Sequence, residues 1–387
     1  MIKDSLINLS DLFLRIIVGG ALYLIVLTHY FPPSELALYY LYVSLFNILG
    51  LFVSAPLLAQ FDQTLDSKER ARHALGAIGV LSLVEALVIL AYIGRGGLAL
   101  IAFTVLLNIV NNAYLLKFYN IESNRVLYSS IPYILKVGFT WVFAWLGYRD
   151  FEHILWAGLI PYVGVLALMV KDYGFSLSWK GLLEYLGTIP RALDIAYRGG
   201  SLFWVRVISA IRNYLDNILF NRPGVSDIEK TRYNTAAYIY KLFSESSGGM
   251  ISINFLKYEK EGTLTLKRIV GGLLASFAIM VAFTIGVSVF VYLFPWVLKY
   301  DILEYVILLG IGYIFWSPSI IMRDTLFALN HTKEIVWAEV LSLAIFLLLG
   351  IGKDPWGVAQ ALVISLLAGF AIYGWFFYRA LKLSNRL

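Results

Sequence analysis

Arg15, Lys136, Arg206, Arg212 and Lys241, with Asp11, Glu85, Asp216, Glu245 and Glu339, interrupt stretches otherwise built of leucine, isoleucine, valine and aromatic residues. A charge facing lipid at mid-bilayer costs ~2.5–3.5 kcal/mol on insertion scales, so each of these should face a partner or a wet space. Asp11/Arg15, Arg212/Asp216 and Lys241/Glu245 are opposite charges four residues apart, on one face of a helix. Such pairs either neutralise each other and hold helices together or line a path through the membrane. At ~1.5 Å per residue, Arg15 and Arg206 fall ~9 Å inside the cytoplasmic ends of their spans. Arg212, Lys241, Lys136 and Glu85 fall near the midplane. Basic groups at these depths suit an anionic group such as phosphate or pyrophosphate, which a guanidinium binds bidentately while staying charged. Arg15, Arg206, Arg212, Lys241 and Lys136 are therefore the expected anion-binding set. Glu85, Asp216, Glu245 and Glu339 are the acids to which H+ or Na+ would bind.

Catalysis finds no footing. The histidines (His29, His73, His153 and His331) form no metalloprotease pattern, and no phosphate-loop or dinucleotide-binding glycine pattern occurs. The chain has no cysteine, which excludes disulfides, thiolate metal sites and cysteine nucleophiles. No catalytic residue, metal ligand or cofactor is expected. Gly94-Arg95-Gly96-Gly97 reads as a tight external turn. The sequons at Asn8 and Asn330 lie on the side expected to be cytoplasmic, where they carry no meaning.

The elements that must hold these charges are apolar helices. Of 387 residues, 60% are hydrophobic and 14% charged, against ~45–50% and ~25% in soluble domains, and the mean hydropathy is +0.76. A soluble protein and a nucleic-acid binder are excluded. At about 20 residues per span, the apolar runs give twelve transmembrane helices. They cover roughly 9–31, 35–59, 72–94, 97–117, 126–147, 151–170, 200–220, 232–256, 269–294, 302–322, 334–352 and 355–379. Pro56, Pro132, Pro161 and Pro318 fall within spans, and Gly248-Gly249 is expected to interrupt the eighth. Lys and Arg concentrate in one alternate set of connections, including Lys68, Arg70, Lys171, Lys180, Lys257, Lys267 and Lys382. Both termini are therefore expected in the cytoplasm of a multi-pass plasma-membrane protein.

The hydrophilic stretch 171–198, with a short amphipathic helix around Leu182 to Ile189, divides the chain into lobes at 1–170 and 199–387. The lobes echo each other. Asp11-Leu12-Phe13-Leu14-Arg15 corresponds to Ser201-Leu202-Phe203-Trp204-Val205-Arg206, and Pro33-Ser34-Glu35 to Pro223 followed by Ser226-Asp227. Ser34 and Ser226 are expected helix caps, each followed by an acid where the helix dipole favours one. Six spans per lobe make the pseudo-two-fold repeat parallel, about an axis along the membrane normal.

Three stretches carry a resemblance. Phe31-Pro32-Pro33-Ser34-Glu35 leads into Tyr39-Tyr40-Leu41-Tyr42. Asn213-Tyr214-Leu215-Asp216-Asn217 ends the seventh span. Tyr233-Asn234-Thr235-Ala236-Ala237-Tyr238 opens the eighth. With Gly357-Val358-Ala359-Gln360-Ala361 near the end, the chain resembles the polysaccharide transporters, the O-antigen type flippases of the multidrug/oligosaccharidyl-lipid/polysaccharide exporter superfamily. It departs from them in Arg232, where the family has glycine, and in having twelve spans where many members have fourteen. The resemblance implies two six-helix lobes around a central cavity. It also implies transport of a polyprenyl-(pyro)phosphate-linked oligosaccharide from the cytoplasmic to the outer leaflet. Membrane lipids and this lipid-linked sugar would be the partners of a monomer, with glycosyltransferases or other envelope-synthesis proteins alongside. An ion-coupled multidrug antiporter of the same superfamily is the alternative, though the excess of deep cations speaks against cationic drugs. A membrane-embedded sugar transferase or polymerase would need a longer external loop than 221–231. A scaffold for an envelope-synthesis complex is a fourth reading.

Overall fold

A computed structural model describes residues 20–60, 68–118, 125–173, 201–260 and 265–383. Among them twelve helices follow one another: α1 Tyr23–Tyr30, α2 Pro33–Gln60, α3 Lys68–Ile93, α4 Gly97–Phe118, α5 Arg125–Trp145 and α6 Phe151–Tyr173, then α7 Ser201–Phe220, α8 Asp227–Lys260, α9 Leu266–Leu293, α10 Leu303–Ala328, α11 Thr332–Gly350 and α12 Pro355–Leu383. No strand occurs among the described residues. The protein is all-α, as its composition implied. Two compact units divide it, Met1–Phe203 and Trp204–Leu387. Most of 171–198, with its expected amphipathic helix, lies outside the described residues.

Within the first unit α4 packs against α3 and α6, α6 against α5, and α2 against α3. Within the second unit α10 packs against α9 and α12, and α12 against α11. The order is the same six helices further on, with one departure: α8 lies mainly on α10, whereas its counterpart α2 lies mainly on α3. Gly310 permits this. A Cβ there would come within 2.7 Å of the Tyr240 hydroxyl, so only a bare backbone lets α8 settle so closely on α10. Tyr240 and Tyr313 stack in the same contact at 5.5 Å.

Many apolar side chains point away from these cores. Leu83, Val84, Leu87 and Val88 form one exposed stripe on α3, and only 22% of the apolar window of α9 is buried. In water such faces would aggregate; in a bilayer they meet acyl chains at no cost. Four described helices are long and apolar enough to span a membrane, and five shorter apolar helices accompany them. Trp145, Trp296 and Tyr292 are exposed at helix ends, where amphipathic rings favour the interface between headgroups and acyl chains. The chain is a multi-pass membrane protein.

Two local expectations need correction. The helix α8 runs unbroken through Gly248-Gly249. Each glycine costs only ~1 kcal/mol in a helix interior, too little to open a continuous ladder of backbone hydrogen bonds. Ser34 is not a cap: α2 begins at Pro33, and the Glu35 and Leu36 amides donate to the Pro32 carbonyl. Proline's preset φ favours the first helical position, so Pro33 starts the helix two residues earlier than a Ser34 cap would. Ser226 does precede α8 directly, and its carbonyl accepts from the Lys230 amide at 3.0 Å.

Candidate functional site

In the second unit the buried charges are tied across helices. Arg212 and Asp216 lie one turn apart on α7, a spacing that leaves open whether they neutralise each other or line a path. In the structure Arg212 Nη1 meets Glu339 Oε2 of α11 at 2.7 Å, with both side chains at 0% exposure. Asp216 Oδ2 meets Lys241 Nζ of α8 at 2.6 Å. Each contact draws a different helix onto α7, so the two charges act as two ties. A pair closed along α7 alone would have bound nothing else to it.

Most of the remaining valences are filled, the buried Arg212 Nε being without a hydrogen-bond partner. Tyr373 donates to Glu339 Oε1 at 2.7 Å, and Tyr233 donates to Asp216 Oδ2 at 2.5 Å. The Arg212 guanidinium lies 3.7 Å from the Trp316 ring centre, a stacking that a planar cation makes well and an ammonium does not. Its Nη1 and Nη2 also approach the Ser342 and Ser209 hydroxyls, each at 3.4 Å. Ser342 and Ser365 exchange hydrogen bonds between α11 and α12, at 3.0 and 2.8 Å to each other's carbonyls. Arg212 and Lys241 are thus neutralised by carboxylates where they stand.

The first unit treats its cation differently. Lys136 on α5 donates to the Tyr39 hydroxyl at 3.1 Å, and its Nζ lies 4.2 Å from the Tyr23 ring centre and 5.9 Å from that of Phe103. Gly158 of α6 completes the cage, since a Cβ there would crowd Phe103 at 3.0 Å and lie 3.6 Å from Lys136 Cε. No carboxylate comes within ion-pair distance of Lys136 among the described residues. Ring faces stabilise an ammonium without cancelling its charge, which leaves that charge available to an anion. Glu85 lies deep in the same unit and is hydrogen-bonded by Asn108.

Arg15 lies outside the described residues. Arg206 and Glu245 lie on α7 and α8, and their side chains are outside the described ones. Sequence reasoning did not find Tyr23, Tyr39 and Phe103 around Lys136, nor Trp316, Tyr233 and Tyr373 around the ion pairs. No spacing rule picks them out among 26 tyrosines, 25 phenylalanines and ten tryptophans. Among the described residues no group of three or more acidic or histidine side chains is placed to hold a metal ion.

Helices of membrane length, a two-unit division with a repeated packing order, and ion pairs buried between helices define the architecture of a polytopic membrane protein. The fold is one also found in solved flippase and transporter structures. The chain is similar to the lipid II flippase MurJ in an inward-closed conformation, with a TM-score of 0.66, 15% identity, and cover of 97% of this chain and 87% of that one. It is also similar to the eukaryotic MATE transporter AtDTX14, with a TM-score of 0.55, 13% identity, and cover of 97% and 95%. A Vibrio cholerae MATE transporter, VcmN, gives 0.51 at 14% identity over 100% and 98%. These are named as a flippase and as transporters, none as an enzyme. No family model matches the sequence, and no curated protein matches it.

Proposed function

We propose that this protein is a flippase that moves a polyprenyl-(pyro)phosphate-linked oligosaccharide from the cytoplasmic to the outer leaflet of the plasma membrane, with both of its termini in the cytoplasm. The observation that carries the reading is the setting of Lys136: a half-buried ammonium in an aromatic cage, with no carboxylate beside it among the described residues. Such a charge is an anion's partner in waiting, where Arg212 and Lys241 already have theirs. The fold shared with a lipid II flippase supports the same reading. In this scheme Lys136, with Arg15 and Arg206, engages the lipid's phosphates. The paired Arg212 and Lys241 hold α7 to its neighbours and reach the substrate only if their pairs open. An H+ or Na+ gradient drives the cycle, and glycosyltransferases supply the substrate from the cytoplasmic side.

The test is leaflet inversion of a fluorescent pyrophosphate-linked sugar in proteoliposomes. Wild type should invert the lipid, and Lys136→Met should lower the rate at least about tenfold, as loss of a charge-assisted hydrogen bond worth ~1.5–3 kcal/mol requires. An unchanged rate in Lys136→Met would remove Lys136 from the site. No inversion by wild type, with extrusion of a cationic dye instead, would favour the antiporter, a reading to which the buried acid Glu85 lends support.

A further inference from the structure

At one end of the second unit the turn from α7 to α8 meets the turn from α11 to α12, and α10 starts between them. A pocket of about 450 Å³ opens there, within the ~300–1,000 Å³ usual for small-molecule sites. Arg222, Ser226, Glu229, Tyr305, Asp354 and Trp356 line it.

Its walls are fixed before anything binds. Arg222 Nη2 donates to the Gly352 carbonyl at 2.6 Å and so ties the two turns together; Gly352 makes its turn at φ +78°, which a side chain would strain. Asp354 Oδ1 accepts from the Gly357 amide at 2.8 Å and caps α12. The Tyr305 hydroxyl donates to Glu229 Oε2 at 2.9 Å. A pocket already held in shape spares its ligand the cost of ordering the walls.

The lining suits a sugar. Trp356, 37% exposed, meets the Tyr305 ring at 5.4 Å with the planes 68° apart, so two aromatic rings form a corner. Tyr233 backs Tyr305 at 5.8 Å. A sugar ring has an apolar C–H face that packs on an indole and a rim of hydroxyls that donate to carboxylates and accept from a guanidinium. Charge decides against the other ligands. The lining brings one guanidinium and two carboxylates, and Arg232 balances the second acid through Glu229 at 2.6 Å. A phosphate would meet two carboxylates and a cation would meet Arg222, whereas a neutral sugar is opposed by neither. A tryptophan serving only to anchor the interface needs no recess of acids and a guanidinium beside it.

We propose that this pocket binds a neutral mono- or disaccharide unit, with Trp356 as the stacking platform and Glu229 and Asp354 as hydroxyl acceptors. Every residue of the site belongs to the second unit, and binding there needs no transport.

The test applies the purified full-length chain in lipid nanodiscs to an array of neutral and acidic oligosaccharides. Wild type should bind neutral members, and Trp356→Ala should weaken that binding at least about tenfold, as loss of an aromatic anchor requires. Trp356→Phe keeps a ring against Tyr305 and should keep part of the affinity. Asp354→Asn keeps the helix cap and should weaken binding; these two variants carry the test should Trp356→Ala fail to fold. No neutral oligosaccharide bound by wild type, binding confined to acidic ones, or binding that none of the variants alters would overturn the site. Such a sugar has two sources, which leaflet inversion by Trp356→Ala separates: a slower rate identifies the sugar of the transported lipid, an unchanged rate a finished glycan. A wild type that binds neutral sugars but inverts no lipid would overturn the flippase reading and leave this site in place.

Discussion

Arg212 brings a fixed positive charge to a point where its side chain has no contact with solvent, and four groups answer it there: the Glu339 carboxylate, the Trp316 ring and two serine hydroxyls. Burying both ions of such a pair is expensive, and the attraction roughly offsets that cost when the geometry is good. Removing one partner is a different matter. Arg212→Met should destabilise the protein by about 3–5 kcal/mol, because Glu339 would be left charged and unanswered. Adding Glu339→Gln should restore most of the loss, since a neutral amide can still accept from Tyr373. Thermal unfolding in detergent, followed by fluorescence-detected size exclusion, reads both values. If the double variant were as unstable as the single one, the pair would not be acting as a neutralised unit. At this scale sequence reasoning found the charged residues but not their partners. The spacing of Arg212 and Asp216 states that they share a face; it says nothing of which helices that face will meet.

Acids in the first turns of corresponding helices act as staples at the helix ends. Glu35 at the start of α2 receives both Arg95 Nη atoms, at 3.0 and 3.1 Å, and the Phe151 amide at 2.8 Å. One carboxylate thus joins the starts of α2 and α6 to the turn between α3 and α4. Glu229 in the first turn of α8 does similar work, accepting from Arg232 at 2.6 Å and from Tyr305 of α10 at 2.9 Å, while Arg232 also reaches the Asp301 carbonyl. Arg232, which stands where the resembling family has glycine, is part of this staple. Beside the first staple, burial pushes the Asp150 carboxyl up, but the His153 amide and ring outweigh it and hold the group below its ordinary range. A depressed folded value means that its contribution is complete above the unfolded value of about 3.9 and fades as pH falls through the folded one. The melting temperature should therefore fall more steeply between neutral pH and strong acid in wild type than in Asp150→Asn; equal slopes would remove this residue from the acid response. The helices were legible in the sequence because apolar runs about as long as a bilayer is thick leave few alternatives. The staples were legible by half: Glu35 and Arg95 both fall at external turns in the sequence reading, but their meeting depends on how α2, α3 and α6 pack. The glycine pair of α8 misled because glycine lowers helix propensity without removing a hydrogen-bond donor.

For the molecule as a whole, the distribution of Lys and Arg sets the orientation to be tested, with Ser226 outside and Lys333 inside. Since the natural chain contains no cysteine, single substitutions can be read without any background. Ser226→Cys should react with a membrane-impermeant maleimide on intact cells, and Lys333→Cys only after permeabilisation; both positions are exposed. The opposite pattern would invert the protein and, with it, the direction assigned to transport. The apolar stripes on α3 and α9 bear on neither outcome, since lipid reads hydrophobicity without regard to which end is up.

The length of α8 has one more outcome. From Asp227 to Lys260 it is 34 residues, about 51 Å of continuous rod, while the hydrocarbon layer is about 30 Å thick. Lys241, clasped by Asp216, sits nearer the start of that rod than its finish. With the clasp as fulcrum, the longer arm is about 28 Å long, so a tilt of some ten degrees would sweep its tip through roughly 5 Å. A proton or a phosphate that loosened one salt bridge at the heart of the bundle would thereby be announced, enlarged, well beyond the lipid.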